Sequence, residues 1–114
     1  GMEYAILTDE ITKAWAGFST KEYKEFKDLK KENLRDNMTN LELVLNMLAE
    51  ATTKEISTER KPKTFKESKI IANQGGTVAG NARKEIEEKS GKKVISSKNA
   101  KELDNRNLKE LDNN

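Results

Sequence analysis

Residues 39–59 read TNLELVLNMLAEATTKEISTE, and the reading of this stretch decides the fold. Thr39 followed three residues later by Glu42 is a capping-box pattern. In that motif the hydroxyl accepts from the N–H of the third helical residue, whose carboxylate reaches back to the cap's own N–H. A helix is therefore predicted over roughly 40–59. Leu41, Val44, Leu45, Leu48 and Thr52 form one apolar stripe at helical spacing, and Leu43, Met47 and Ala51 form a second on another side. A helix apolar on two sides is either central to a bundle or shared with a second subunit.

The same logic works outward. Thr8 is a candidate cap for a helix reaching Phe18 at the latest, with Leu7, Ile11, Ala14, Trp15 and Phe18 on one stripe and Gly17 as its stop. Ser19 with Glu22 repeats the capping box and predicts a helix with Tyr23 and Phe26 inward. Its mixed charges (Lys21, Glu22, Lys24, Glu25, Lys27, Asp28) are expected to face solvent. Residues 60–63, with the chain's one proline at Pro62, form a linker. Thr64 with Glu67 opens a further helix to about Gln74, where Gly75-Gly76 is expected to break it. Thr77 restarts a helix to Lys89, closed by Ser90-Gly91. Val94-Ile95 is a short extended piece, and Ser97 caps a last turn to Leu103. Period-two β-branched runs do not occur. The expectation is an all-α fold. Four to five helices make a small, irregular bundle over residues 2–103, with a linker near 60–64, and residues 104–114 form a flexible or frayed tail. Gly1 ahead of Met2 is read as a tag scar.

Composition narrows the function classes. The 114 residues carry 22 Lys+Arg against 20 Asp+Glu, and neither His nor Cys. Disulfide scaffolds, Cys/His zinc sites, histidine-based triads and thiol nucleophiles are thereby excluded. No run approaches the ~18–20 apolar residues of a membrane span, and no signal-peptide pattern opens the chain, so a cytoplasmic protein is expected. Leu, Ile, Val and Phe total 23 residues, a small core of the kind that often needs a partner or a second subunit. Charge is patterned: residues 36–53 hold only Asp36, Glu42 and Glu50, and residues 70–82 hold no charge, which marks them for burial.

Three groups of residues invite chemistry. The glycine-rich run Gly75–Asn81 lacks the lysine placement and preceding strand of a phosphate loop. Gly76, Ala79 and Gly80 instead suit close backbone approach. The unit 65–89, broken at Gly75-Gly76, has the outline of a helix-turn-helix that would present Asn81, Arg83 and Lys84 to nucleic acid, joined by Lys61, Lys63 and Lys66 of the basic group that flanks the linker. Glu85, Glu87 and Glu88 oppose that reading, as does a net charge of only +2, because DNA affinity rests largely on clustered cations. Those glutamates read as a solvated face rather than as metal ligands or acid/base groups. No catalytic, metal or cofactor residues are assigned, and neither a small-molecule substrate nor a membrane is expected as a partner.

At ILTDEITKAW (residues 6–15), KKENLRDNMTNLELVLNMLAEATTKEIS (30–57) and ANQGGTVAGNARKEIEEKSGKKVISSKNAKEL (72–103) the chain resembles the C-terminal region of the DNA-damage-inducible protein D family, and related segments of BRO-type phage antirepressor-like proteins. The resemblance implies no catalytic site. It implies a place in the damage response or in prophage regulation, next to a DNA-binding domain that this sequence does not contain. The resulting expectation is a non-enzymatic helical interaction module. It would act by self-association, as a dimer, or by binding a protein partner through Leu43, Met47 and Ala51. The alternative is direct nucleic-acid binding through residues 65–89.

Overall fold

A computed structural model describes residues 1–103; the tail expected at 104–114 lies outside the described residues. The regular elements are α1 (Met2–Ala16), α2 (Thr20–Phe26), a 3-10 turn (Arg35–Asn37), α3 (Asn40–Arg60) and α4 (Phe65–Ser90), with a further helical turn over residues 100–103. The fold is all-α, and no helix among the described residues is long and apolar enough to cross a membrane.

Both capping boxes before α2 and α3 form as their sequences dictate. Ser19 Oγ accepts from Glu22 N–H and Glu22 Oε1 accepts from Ser19 N–H; Thr39 and Glu42 do the same at α3. At α4 only half the box forms. Thr64 Oγ1 caps Glu67 N–H, but the Glu67 carboxylate takes the N–H of Lys63. Gly17 and Gly91 end α1 and α4 in the left-handed conformation, at φ 82° and 72°.

Four expectations need correction. First, α1 starts at Met2, not Thr8. The MEYAIL segment contains no breaker, and the Thr8 hydroxyl bonds back within the helix to the Tyr4 carbonyl. Second, Asn99, not Ser97, caps the last turn: its Oδ1 accepts from Glu102 N–H. Third, α4 runs unbroken through Gly75-Gly76. Glycine costs about 1 kcal/mol in a helix interior relative to alanine, and packing outweighs that here. A Cβ at Gly75 would stand 2.7 Å from the Thr53 Cα of α3. One at Gly76 would stand 2.7 Å from the Ile11 carbonyl oxygen of α1, and one at Gly80 would stand 2.6 Å from that of Ala14. Gly75 thus admits α3, while Gly76 and Gly80, a third of a turn round the helix, admit α1. Fourth, of the two readings left open for the helix at 40–59, central or shared, the central one fails, because α4 takes that place. It packs extensively on both α1 and α3, which touch each other little. The paired positions show α1 parallel to α4 and α3 antiparallel to it.

The core comprises Trp15, Ala16, Tyr23, Leu45, Ala49, Ala79 and Val94, edged by Ile11, Phe18, Leu34, Met38 and Ile86. Val94 of the extended piece is buried, and residues 94–100 strap back across α2 and the 3-10 turn. Phe26, expected inward, is 44 % exposed and stacks on Phe18 at 5.3 Å.

Candidate interaction surface

Lys27 was expected in solvent with the other charges of its segment, yet it is fully buried, and so is Glu42, read only as a cap. Lys27, one turn beyond Tyr23 on α2, and Glu42, the capping glutamate of α3, pair at 2.9 Å with no solvent exposure. Glu42 Oε1 accepts from Lys27 Nζ and from Thr39 N–H, while Oε2 accepts from the Tyr23 hydroxyl. Lys27 Nζ also donates to the Lys98 carbonyl at 2.7 Å. Asn99 Nδ2 donates to the Lys27 carbonyl, and Ala100 N–H to Asn37 Oδ1. The cluster therefore pins α2, the start of α3 and the returning strap together. Burial and the Glu42 hydrogen bond push the Tyr23 phenol far above its ordinary value. Every buried side-chain nitrogen and oxygen among the described residues has a partner, so the cluster is satisfied internally and offers nothing to a ligand. Sequence reading missed it because Lys27 sits within an alternating charge run. The one available signal was that Tyr23 and Lys27 share a helix face at i, i+4.

The small-residue positions Gly76, Ala79 and Gly80 are buried in the helix contacts described above. The residues assigned to nucleic acid do not converge. With α4 continuous, the helix-turn-helix does not form. Arg83 is mostly buried and committed: its Nε donates to the Trp15 carbonyl at the end of α1 at 2.7 Å, and Nη1 pairs with Glu87 at 2.9 Å. This closes the C-terminus of α1, whose last carbonyls lack helical partners. Asn81 and Lys84 are exposed on α4, and Lys61, Lys63 and Lys66 are exposed around the turn between α3 and α4. Glu87 is not on a solvated face either. Partial burial pulls its carboxyl upward, but the Val94 N–H and the Arg83 guanidinium outweigh it and hold its pKa below the ordinary carboxylate range.

The interaction face shifts round α3. Met47 (49 % exposed) and Ala51 are on the surface, but Leu43 is half-buried. Leu41, Val44 and Leu48, expected in the core, are 41 %, 59 % and 38 % exposed. The buried side of α3 is Glu42, Leu45 and Ala49 instead. The exposed apolar face is thus Leu41, Val44, Met47, Leu48 and Ala51, at i, i+3, i+6, i+7 and i+10, one contiguous strip of the helix. The inward choice went wrong because Glu42, spent on capping, is itself a core residue, which turns the helix toward its own cap.

A second surface lies between α1 and α3, where the two helices diverge above α4. A cleft of about 600 Å³ has Tyr4, Leu7, Thr8 and Ile11 of α1 on one wall and Asn46, Glu50, Thr53, Lys54 and Ser57 of α3 on the other. Ser68 and Ala72 of α4 form its floor. Leu34, Arg35, Met38 and Lys24 close one end. Glu50 accepts from Arg35 (2.8 Å) and from Asn46 Nδ2 (3.1 Å), and Asn46 Oδ1 in turn accepts from the buried Trp15 Nε1. No cluster of three or more acidic side chains suited to a metal occurs among the described residues.

No family model matches the chain, and neither a curated protein nor a solved structure matches it significantly.

Proposed function

We propose that the chain is a non-enzymatic helical interaction module that works by self-association or by holding a protein partner. The observation that supports this best is the exposed row Leu41, Val44, Met47 and Leu48 on one side of α3. A contiguous exposed apolar patch rimmed by polar residues is a feature of protein contact sites. Burying them would also extend a core that is small for the chain length. The resemblance to the D-family and BRO-type proteins gives this module its setting: a regulator of the damage response or of prophage genes in the cytoplasm, with the DNA contacts made by a different domain. The nucleic-acid alternative loses the turn it depended on and the free guanidinium of Arg83, and no observation favours it.

The test is the solution mass by light scattering, for the native chain and for Val44→Asp/Met47→Asp. Val44 and Met47 are 59 % and 49 % exposed, so the variant is expected to keep its helical circular dichroism. A dimeric native chain and a folded monomeric variant support the reading. A native monomer whose partner binding survives the double substitution overturns it. Adding duplex DNA at low and high salt separates the alternative, which requires binding that weakens steeply with salt.

A further inference from the structure

The cleft between α1 and α3 carries an inference of its own, independent of the α3 outer face. Its walls are two antiparallel helices and its floor is a third. One further helix laid in the trough would complete a four-helix bundle. The α3 wall from Asn46 to Ser57 spans about 16 Å at 1.5 Å per residue, which accommodates roughly three helical turns. Tyr4, Leu7 and Ile11 supply apolar contacts along it, above the buried Ala72. The charge balance around the cleft is one-sided. Its single lining carboxylate, Glu50, is already held by Arg35 and Asn46, whereas Lys24 and Lys54 make no ion pair among the described residues. Small-molecule sites depend on a few convergent polar groups that await a ligand. Here every buried polar side-chain atom is already satisfied. We propose that this cleft is a docking groove for one amphipathic helix of a protein partner, whose apolar stripe is bordered by carboxylates that meet Lys24 and Lys54.

The probe is a fluorescein-labelled synthetic peptide of about 18 residues, with Leu at helical i, i+3, i+4, i+7 spacing and Glu on both borders. A counterpart carries Lys in place of every Glu. The expected result is saturable anisotropy for the Glu peptide, with at least about tenfold weaker binding of the Lys peptide. Amide shifts should map to Tyr4, Leu7 and Ile11 and leave Val44 and Met47 unmoved. In Lys24→Glu/Lys54→Glu the preference between the two peptides should invert, which loss of folding cannot imitate. In Val44→Asp/Met47→Asp the binding should persist, so failure of the self-association reading and failure of this one are read separately. The proposal is overturned if neither peptide binds up to about millimolar concentration, the weak limit for a specific contact. It is also overturned if both bind equally, if the shifts fall on the α3 outer face, or if raising the protein concentration alone moves the cleft amides, which would mean that a second copy occupies it.

Discussion

Replacing Gly80 with alanine sets two measurable effects against each other. Inside a helix the change removes backbone freedom from the unfolded chain and is favourable by about 1 kcal/mol. In this fold the new Cβ would stand 2.6 Å from the Ala14 carbonyl oxygen and 3.3 Å from the Trp15 Cα. The first distance is about 0.8 Å inside ordinary contact, and both neighbours are main-chain atoms that no rotamer change can move away. The strain is relieved only if α1 and α4 separate, and a gap of 0.5–1 Å forfeits roughly a quarter to a half of each dispersion contact across the interface. Overpacking of this kind costs about 1–3 kcal/mol, and contact with backbone places it toward the upper end. The expected net effect is a destabilisation of about 1–2 kcal/mol, or a fall in Tm of roughly 5–15 °C. Gly76→Ala meets the same helix at Ile11 and Ala14. One outward shift of α1 would relieve both sites, so the double variant should cost less than the sum of the singles. Asn81→Ala, on the exposed side of α4, serves as the control and is expected to be neutral or to stabilise by a few tenths of a kcal/mol. Urea unfolding followed by circular dichroism and by Trp15 fluorescence measures all four. If Gly80→Ala stabilises the protein by about 1 kcal/mol with an unchanged urea slope, α1 does not approach α4 at this point and the packing argument is wrong.

Further outcomes follow from the buried cluster and from Glu87. Lys27→Met leaves the Glu42 carboxylate buried without its cation and is expected to cost about 3–5 kcal/mol, whereas Lys27→Met/Glu42→Leu should recover part of that loss; equal stability of the two variants in urea would contradict it. In Tyr4→Phe the one remaining phenol is Tyr23. Its pKa is raised on folding, so the folded state holds the proton more tightly, and stability should fall as pH rises above 10. Ultraviolet titration should show phenolate appearing only together with unfolding, and a smooth titration of the folded chain would refute it. The Glu87 carboxyl is held below its ordinary range when folded, so its stabilising effect is present above the unfolded pKa and is lost as pH falls through the folded value. Glu87→Gln should therefore flatten the acid limb of the stability profile measured by thermal melts.

Some of this protein is written in local sequence. The boxes Ser19/Glu22 and Thr39/Glu42, and the stops at Gly17 and Gly91, are satisfied by residues at most four positions apart, so their chemistry needs no distant partner. The helical class, the absence of strands among the described residues and the end of α3 next to Pro62 follow from the same short-range rules. Apart from the start of α1 and the cap of the last turn, the features that sequence reading misplaced depend on a third body. Gly75-Gly76 has the local signature of a break, and only the approach of α3 on one side and α1 on the other makes an unbroken helix the lower free energy. Lys27 belongs by pattern to a solvated face, and only the capping carboxylate of Glu42, fifteen residues on, gives its charge a partner away from water. Arg83 has the composition of a phosphate contact, but its guanidinium closes the end of α1, 68 residues away. The orientation of α3 follows from the same cluster. Once Glu42 points inward, helical geometry carries Leu45 and Ala49 in with it and leaves Val44 and Met47 outside. Periodicity determines that a helix has an apolar side, but which side is buried is decided by what the rest of the chain brings against it.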